Sequence, residues 1–110
     1  MPYTVNGMEV SLAEPVLTAG TTFVPVADLA NAMGGYVDWN HEAKTARIEI
    51  GDNVGTVHND DQFADVGGNT IDLHAKPYLQ EGVLWAPVRL FRDGFGIGLN
   101  VNGANVELTR

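Results

Sequence analysis

The residues of this chain whose types could bind a metal are three histidines, His41, His58 and His74, and the aspartates Asp52, Asp60, Asp61 and Asp65. Zinc needs imidazoles or thiolates at defined geometry, and a helical zinc pair places two histidines four residues apart. No two histidines here have that spacing, His41-Glu42 continuing as Ala43-Lys44-Thr45, and there is no cysteine. They read as three separate solvent-facing imidazoles. The aspartates could offer oxygen ligands to calcium, but their spacing matches no calcium loop. A solvated acidic loop is the expectation there, with weak calcium binding the lesser alternative. Gly94-Phe95-Gly96-Ile97-Gly98 has the composition of a phosphate cradle, yet it follows a predicted helix, whereas such cradles follow a strand and open a helix. The only serine, Ser11, falls in a predicted strand with no histidine nearby in sequence, and no carboxylate pair has an apolar setting that would separate two pKa values. No catalytic, cofactor-binding or metal-ligating residue is assigned, and no enzymatic activity is expected.

The remaining chemistry-bearing side chains are rings. Tyr36, Trp39, Tyr78 and Trp85 are the candidate ligand-contact aromatics, since exposed rings serve glycan or peptide ligands as flat platforms. Trp85, just before Pro87, reads as core, and Trp39, opening a hairpin, is expected to pack on a helix.

These residues must be held by one domain, for 110 residues supply a single core. Six Lys+Arg against fourteen Asp+Glu give a net charge of −8, which repels phosphate backbones and anionic membranes; no nucleic-acid partner and no membrane insertion are expected. No apolar run reaches the roughly twenty residues a membrane helix requires. Met1-Pro2 running at once into Tyr3-Thr4-Val5 reads as a start placed at a domain edge, which favours a mature or excised fragment over a cytoplasmic protein.

The organising segment is Thr21 to Gly35. Its strand runs into Pro25, whose fixed φ suits a helix start; Val26, Leu29, Ala30 and Met33 share one helical face, and Gly34 supplies the terminating left-handed residue. Val83 to Gly94 restates it, with Val88, Phe91 and Phe95 on the buried face and Arg89 and Arg92 outside. Hairpins are predicted around Asn6-Gly7, Ala19-Gly20 and Asn102-Gly103, and from Tyr36 to Ile50 across a polar loop. Val54-Gly55-Thr56-Val57 follows the turn Gly51-Asp52-Asn53, and His58-Asn59-Asp60-Asp61 marks a junction, after which the order begins again. Pro15 and Pro77, Gly20 and Gly82, and Pro25 and Pro87 are each 62 residues apart. The chain thus reads as an α+β fold of antiparallel β-sheet units, each wrapped on one short α-helix, duplicated within a single compact domain over about 3–57 and 63–109. Neither half has enough apolar surface to fold alone.

Val5-Asn6-Gly7-Met8-Glu9-Val10-Ser11-Leu12, Gly20-Thr21-Thr22-Phe23-Val24-Pro25-Val26, the helix Leu29-Ala30…Met33-Gly34 and Val37-Asp38-Trp39-Asn40…Glu42-Ala43-Lys44-Thr45 together resemble the copper amine oxidase N-terminal domain-like family. These are also called stalk domains and occur in many copies on exported bacterial proteins. A looser second copy runs from Val66 to Leu108. The resemblance implies about five antiparallel strands wrapped on a helix in each unit. The arginine that family members carry shortly after the helix proline is present as Arg89, while the first unit has Ala27; the second unit has Asn100-Val101-Asn102-Gly103 in place of the Asp-Trp hairpin. Copper and quinone belong to the catalytic domain of an amine oxidase, so the resemblance brings no cofactor. It implies a secreted or cell-surface accessory module, a stalk, spacer or adhesion element, touching a protein or cell-wall polymer. The alternative is a small glycan- or peptide-binding module using exposed aromatics.

Overall fold

The computed structural model describes residues 2–110; Met1, part of the domain-edge start read above, lies outside the described residues. The chain forms β1 (Tyr3–Val5), β2 (Met8–Val10), β3 (Val16–Thr18), β4 (Thr21–Pro25), α1 (Val26–Ala32), β5 (Tyr36–Asn40), β6 (Thr45–Ile50), β7 (Asn53–His58), β8 (Phe63–Val66), β9 (Asn69–Asp72), β10 (Tyr78–Gln80), β11 (Val83–Pro87), a π-helical turn (Leu90–Gly94), β12 (Gly98–Asn102) and β13 (Asn105–Thr109). It is an α+β fold of three sheets, in the orders β12-β13-β1-β2, β10-β11-β4-β3 and β5-β6-β7-β8-β9. One core runs through both halves of the chain, from Tyr3 and Val24 to Phe91 and Leu108.

Local chemistry accounts for the elements. Asn6 and Gly7 take φ of 51° and 81°, the doubly left-handed turn that matches strand twist; Ala19-Gly20 at 50° and 82° and Glu81-Gly82 at 52° and 79° do the same. In α1 the face of Val26, Leu29 and Ala30 is fully buried, and Met33 is 4% exposed. The helix ends in a Schellman cap: Gly34 N–H donates to Asn31 O (3.0 Å) and Gly35 N–H to Ala30 O (2.9 Å), with Gly34 at φ 80°.

The second predicted helix is a π-helical turn instead. The residue 62 beyond Ala30 is Arg92, which cannot be buried, whereas Leu90 stands where α1 has the exposed Asp28. Wider winding turns Leu90 inward, fully buried beside Phe91, and leaves Arg92 outside. The cap widens with it: Ile97 N–H donates to Phe91 O (3.0 Å) and Gly96 N–H to Arg92 O (3.1 Å). The last hairpin also differs from expectation, turning at Gly103-Ala104 with Asn102 paired to Asn105.

The middle sheet has a local two-fold. β3 pairs with β4 as Val16↔Phe23, Leu17↔Thr22 and Thr18↔Thr21; β10 pairs with β11 as Tyr78↔Trp85, Leu79↔Leu84 and Gln80↔Val83, the same register 62 residues on. Between the hairpins β4 meets β11 as Pro25↔Trp85, Val24↔Ala86 and Phe23↔Pro87, so a dyad passes through Val24 and Ala86. The outer sheets each combine strands from both halves of the chain, so the halves share sheets as well as a core, and neither forms the separate five-stranded unit that the resemblance implies. β12-β13 joins β1-β2 through a parallel contact, Tyr3↔Val106 to Val5↔Leu108, where only antiparallel pairing was expected. In the other sheet β7 runs between β6 and β8, antiparallel to both.

Candidate functional site

The titratable residues singled out in the sequence remain apart. His41 is exposed in the β5–β6 loop. His58 closes β7, its Nδ1 2.7 Å from Thr45 Oγ1, and His74 lies beyond β9 with its Nδ1 4.0 Å from Asp72 Oδ2. Asp61 accepts the Phe63 N–H (2.9 Å), Asp60 stands 4.0 Å from Lys76 Nζ, Asp65 is on β8 and Asp52 in the β6–β7 turn. Among the described residues no three histidine, aspartate or glutamate side chains gather where one cation could be held. Ser11 lies just past the end of β2 and is exposed, rather than inside a strand. The Gly94-to-Gly98 segment carries the chain from the π turn into β12, with Gly96 at φ 70°.

Where charges do interact they do so mostly with near neighbours in the chain. Gln62 Nε2 donates to Asp72 Oδ1 (2.9 Å), as does the His74 N–H (2.9 Å), and these bonds hold the Asp72 carboxyl below the usual carboxylate range. Arg92 binds Asp93 at 2.8 Å and lowers its carboxyl likewise, with Arg89 adding to the field at both aspartates. Tyr3, fully buried, donates its hydroxyl to Ala13 O (2.8 Å); burial first, and Glu14 second, push its phenol far up.

The four candidate aromatics do not share a patch. Tyr36 and Trp39 point to opposite faces of β5, 61% and 36% exposed. Trp85, expected in the core, is half-buried on the other face of the middle sheet, stacked on Tyr78 with ring centroids 6.4 Å apart and planes at 5°; Tyr78 also meets Phe23 at 5.2 Å. Burial raises the Tyr78 phenol.

Two hollows flank the middle sheet at equivalent places. One, about 210 Å³, is lined by the β3–β4 turn through Thr22, by Pro87 to Arg89, and by Arg92, Leu99 and Val101. The other, about 290 Å³, is lined by Gly82 to Leu84, by Val26 to Asp28, and by Val37, Trp39 and Ala46. Thr22 and Leu84, Arg89 and Ala27, and Val101 and Trp39 correspond, each pair 62 residues apart. The first hollow is cationic; the second is apolar with an indole wall and one carboxylate.

Asp28 and Leu84 were not singled out from sequence, because Leu84 comes from β11, distant in the chain, and Asp28 reaches the hollow only through the packing of α1 against β5. Ala46 was detectable: in the predicted hairpin a small residue stands across from a tryptophan, and Trp39↔Ala46 is the observed pair.

A family model described as the copper amine oxidase N-terminal domain matches residues 4–109. The comparison with curated proteins gives no match.

Proposed function

Because the chain belongs to the copper amine oxidase N-terminal domain family, a family of non-catalytic accessory domains, we propose that it is a load-bearing stalk or spacer, built from two tandem copies of one unit, the second degenerate. In this reading an exported or cell-surface bacterial protein carries it, and it touches a second protein or a wall polymer. Support for two copies comes from the 62-residue correspondence of hairpins, turns and hollows about the Val24–Ala86 dyad. Support for load-bearing comes from the parallel pairing of the first and last strands, the observation that carries the proposal.

Chain enters at the start of β1 and leaves at the far end of β13. Val106 N–H donates to Pro2 O (2.6 Å), Asn6 N–H to Leu108 O (2.8 Å) and Arg110 N–H to Asn6 Oδ1 (2.8 Å). Tension between the ends pulls the two strands along their axes in opposite directions, so these bonds resist together instead of one by one. Contact with a partner is assigned to β3, a sheet edge exposed at all three positions, with Leu17 69% exposed and no charge or proline within it to block strand addition.

Single-molecule pulling tests the reading. Loading through the termini is expected to require a higher unfolding force than loading through Arg110 and Met8→Cys, an attachment at the same end of the sheet as the C-terminal exit. Equal forces would remove the support for a stalk. Co-sedimentation with isolated cell walls, lost in Leu17→Lys, is the corresponding check on the edge contact.

A further inference from the structure

We propose that the Trp39 hollow receives an aliphatic chain ending in a cation, in particular a lysine side chain of a partner protein; this stands whether or not the domain bears load. The hollow exists because Ala46, 2% exposed, lies across from Trp39 in the β5–β6 register and does not fill the space beside the indole. Val26 and Leu84, 0% and 6% exposed, complete an apolar floor. At about 290 Å³ the space is at the small end for ligand sites and suits one long side chain.

The charge of the occupant follows from the rim. Asp28 is the ionisable group among the lining residues, it is exposed, and none of the ion pairs among the described residues includes it. The Trp39 ring beside it attracts a cation through its negative face. The net charge of −8 favours approach of a cationic partner and opposes an anionic one. Lysine matches both parts, burying its four-carbon stem on the floor while its ammonium stays at the wet rim with Asp28. The corresponding hollow in the other half, with Arg89 and Arg92, has the opposite preference and serves as an internal control.

Titration of ¹⁵N-labelled protein with N-acetyl-lysine-amide, N-acetyl-norleucine-amide and hexanoate tests this. The lysine probe is expected to move the Trp39 indole resonance and the amides of 26–28 and 82–84, leaving the Trp85 indole in place. The neutral norleucine probe should bind about fivefold more weakly and hexanoate not at the Trp39 site. Asp28→Asn should bring lysine affinity down to that of norleucine while leaving norleucine affinity and the thermal midpoint nearly unchanged. The proposal is overturned by no shift with the lysine probe, by shifts centred on Trp85 and Tyr78, by norleucine binding as tightly as lysine, or by Asp28→Asn having no effect.

Discussion

Val66 places one methyl group between two glycines, and that contact can be tested to the level of single atoms. A Cβ on Gly94 would lie 2.8 Å from Val66 Cγ2, with its next neighbours at 3.5 Å and beyond; a Cβ on Gly55 would meet the same methyl at 2.8 Å but also Phe95 Cζ at 2.9 Å and Asp65 O at 3.2 Å. Neither glycine has a left-handed φ, so alanine carries no backbone strain at either. Overpacking costs about 1–3 kcal/mol, and the stiffer alanine backbone returns about 0.4–1 kcal/mol. Gly94→Ala should therefore destabilise by about 1–2 kcal/mol. Val66→Ala alone should cost about 2 kcal/mol for the lost methyl groups. In that background Gly94→Ala loses its one close contact and becomes neutral or slightly stabilising, while Gly55→Ala still meets Phe95 and the Asp65 carbonyl and remains destabilising by about 1 kcal/mol. Urea unfolding followed by tryptophan fluorescence and far-ultraviolet circular dichroism measures all five variants. A coupling between positions 94 and 66 below about 0.5 kcal/mol would refute the packing argument.

Gly35→Ala should be the most damaging glycine substitution, above about 3 kcal/mol, because its Cβ would lie 2.7 Å from Glu49 O and 2.9 Å from Ala30 O, backbone atoms that cannot turn away; little folded protein by circular dichroism is the expected result. Tyr3 has its phenol pKa raised above the ordinary 10.0, so the fold favours the neutral form. That stability is fully present below pH 10 and is lost as pH rises beyond it. Tyr3→Phe should cost about 1 kcal/mol at neutral pH and flatten the alkaline limb of a plot of urea midpoint against pH. Arg110 Nη1 donates to Met33 O (2.6 Å) at the end of α1; Arg110→Ala should cost about 1–2 kcal/mol, seen as a lower thermal midpoint, and Arg110→Lys should recover part of it.

Legibility in the sequence followed the range of the interaction. Turns depend on two residues, and the Asn6-Gly7 and Ala19-Gly20 hairpins stand where their turn chemistry puts them, while the last turn lies one residue on from Asn102-Gly103. The face and cap of α1 depend on a few residues at helical spacing and were likewise readable. The π turn was not, because the spacing of Val88, Phe91 and Phe95 satisfies an α-helix until Leu90 and Arg92 are weighed together. Strand partnership was least readable. Alternation in β1 and β13 shows which side chains turn inward but carries no record that these strands, about a hundred residues apart, lie side by side and parallel. The hollow shows the same limit: Trp39 was legible by its type and Ala46 by its hairpin register, whereas Asp28 and Leu84 arrive with the tertiary fold.

β7 has a use for anyone re-engineering the chain. It carries the polypeptide from the end of β6 back to the start of β8, and the six residues from Asn53 to His58 fill the gap between two strands that run the same way. β13 and β1 also run the same way, in direct contact with no intervening strand. A circular permutant reconnecting residue 110 to residue 2 through a copy of Asn53–His58, with new ends opened at Asp60-Asp61, would have a connector of the right length and direction to wedge between β13 and β1. Hydrogen exchange in that segment would then report whether the four-stranded sheet had admitted a fifth strand.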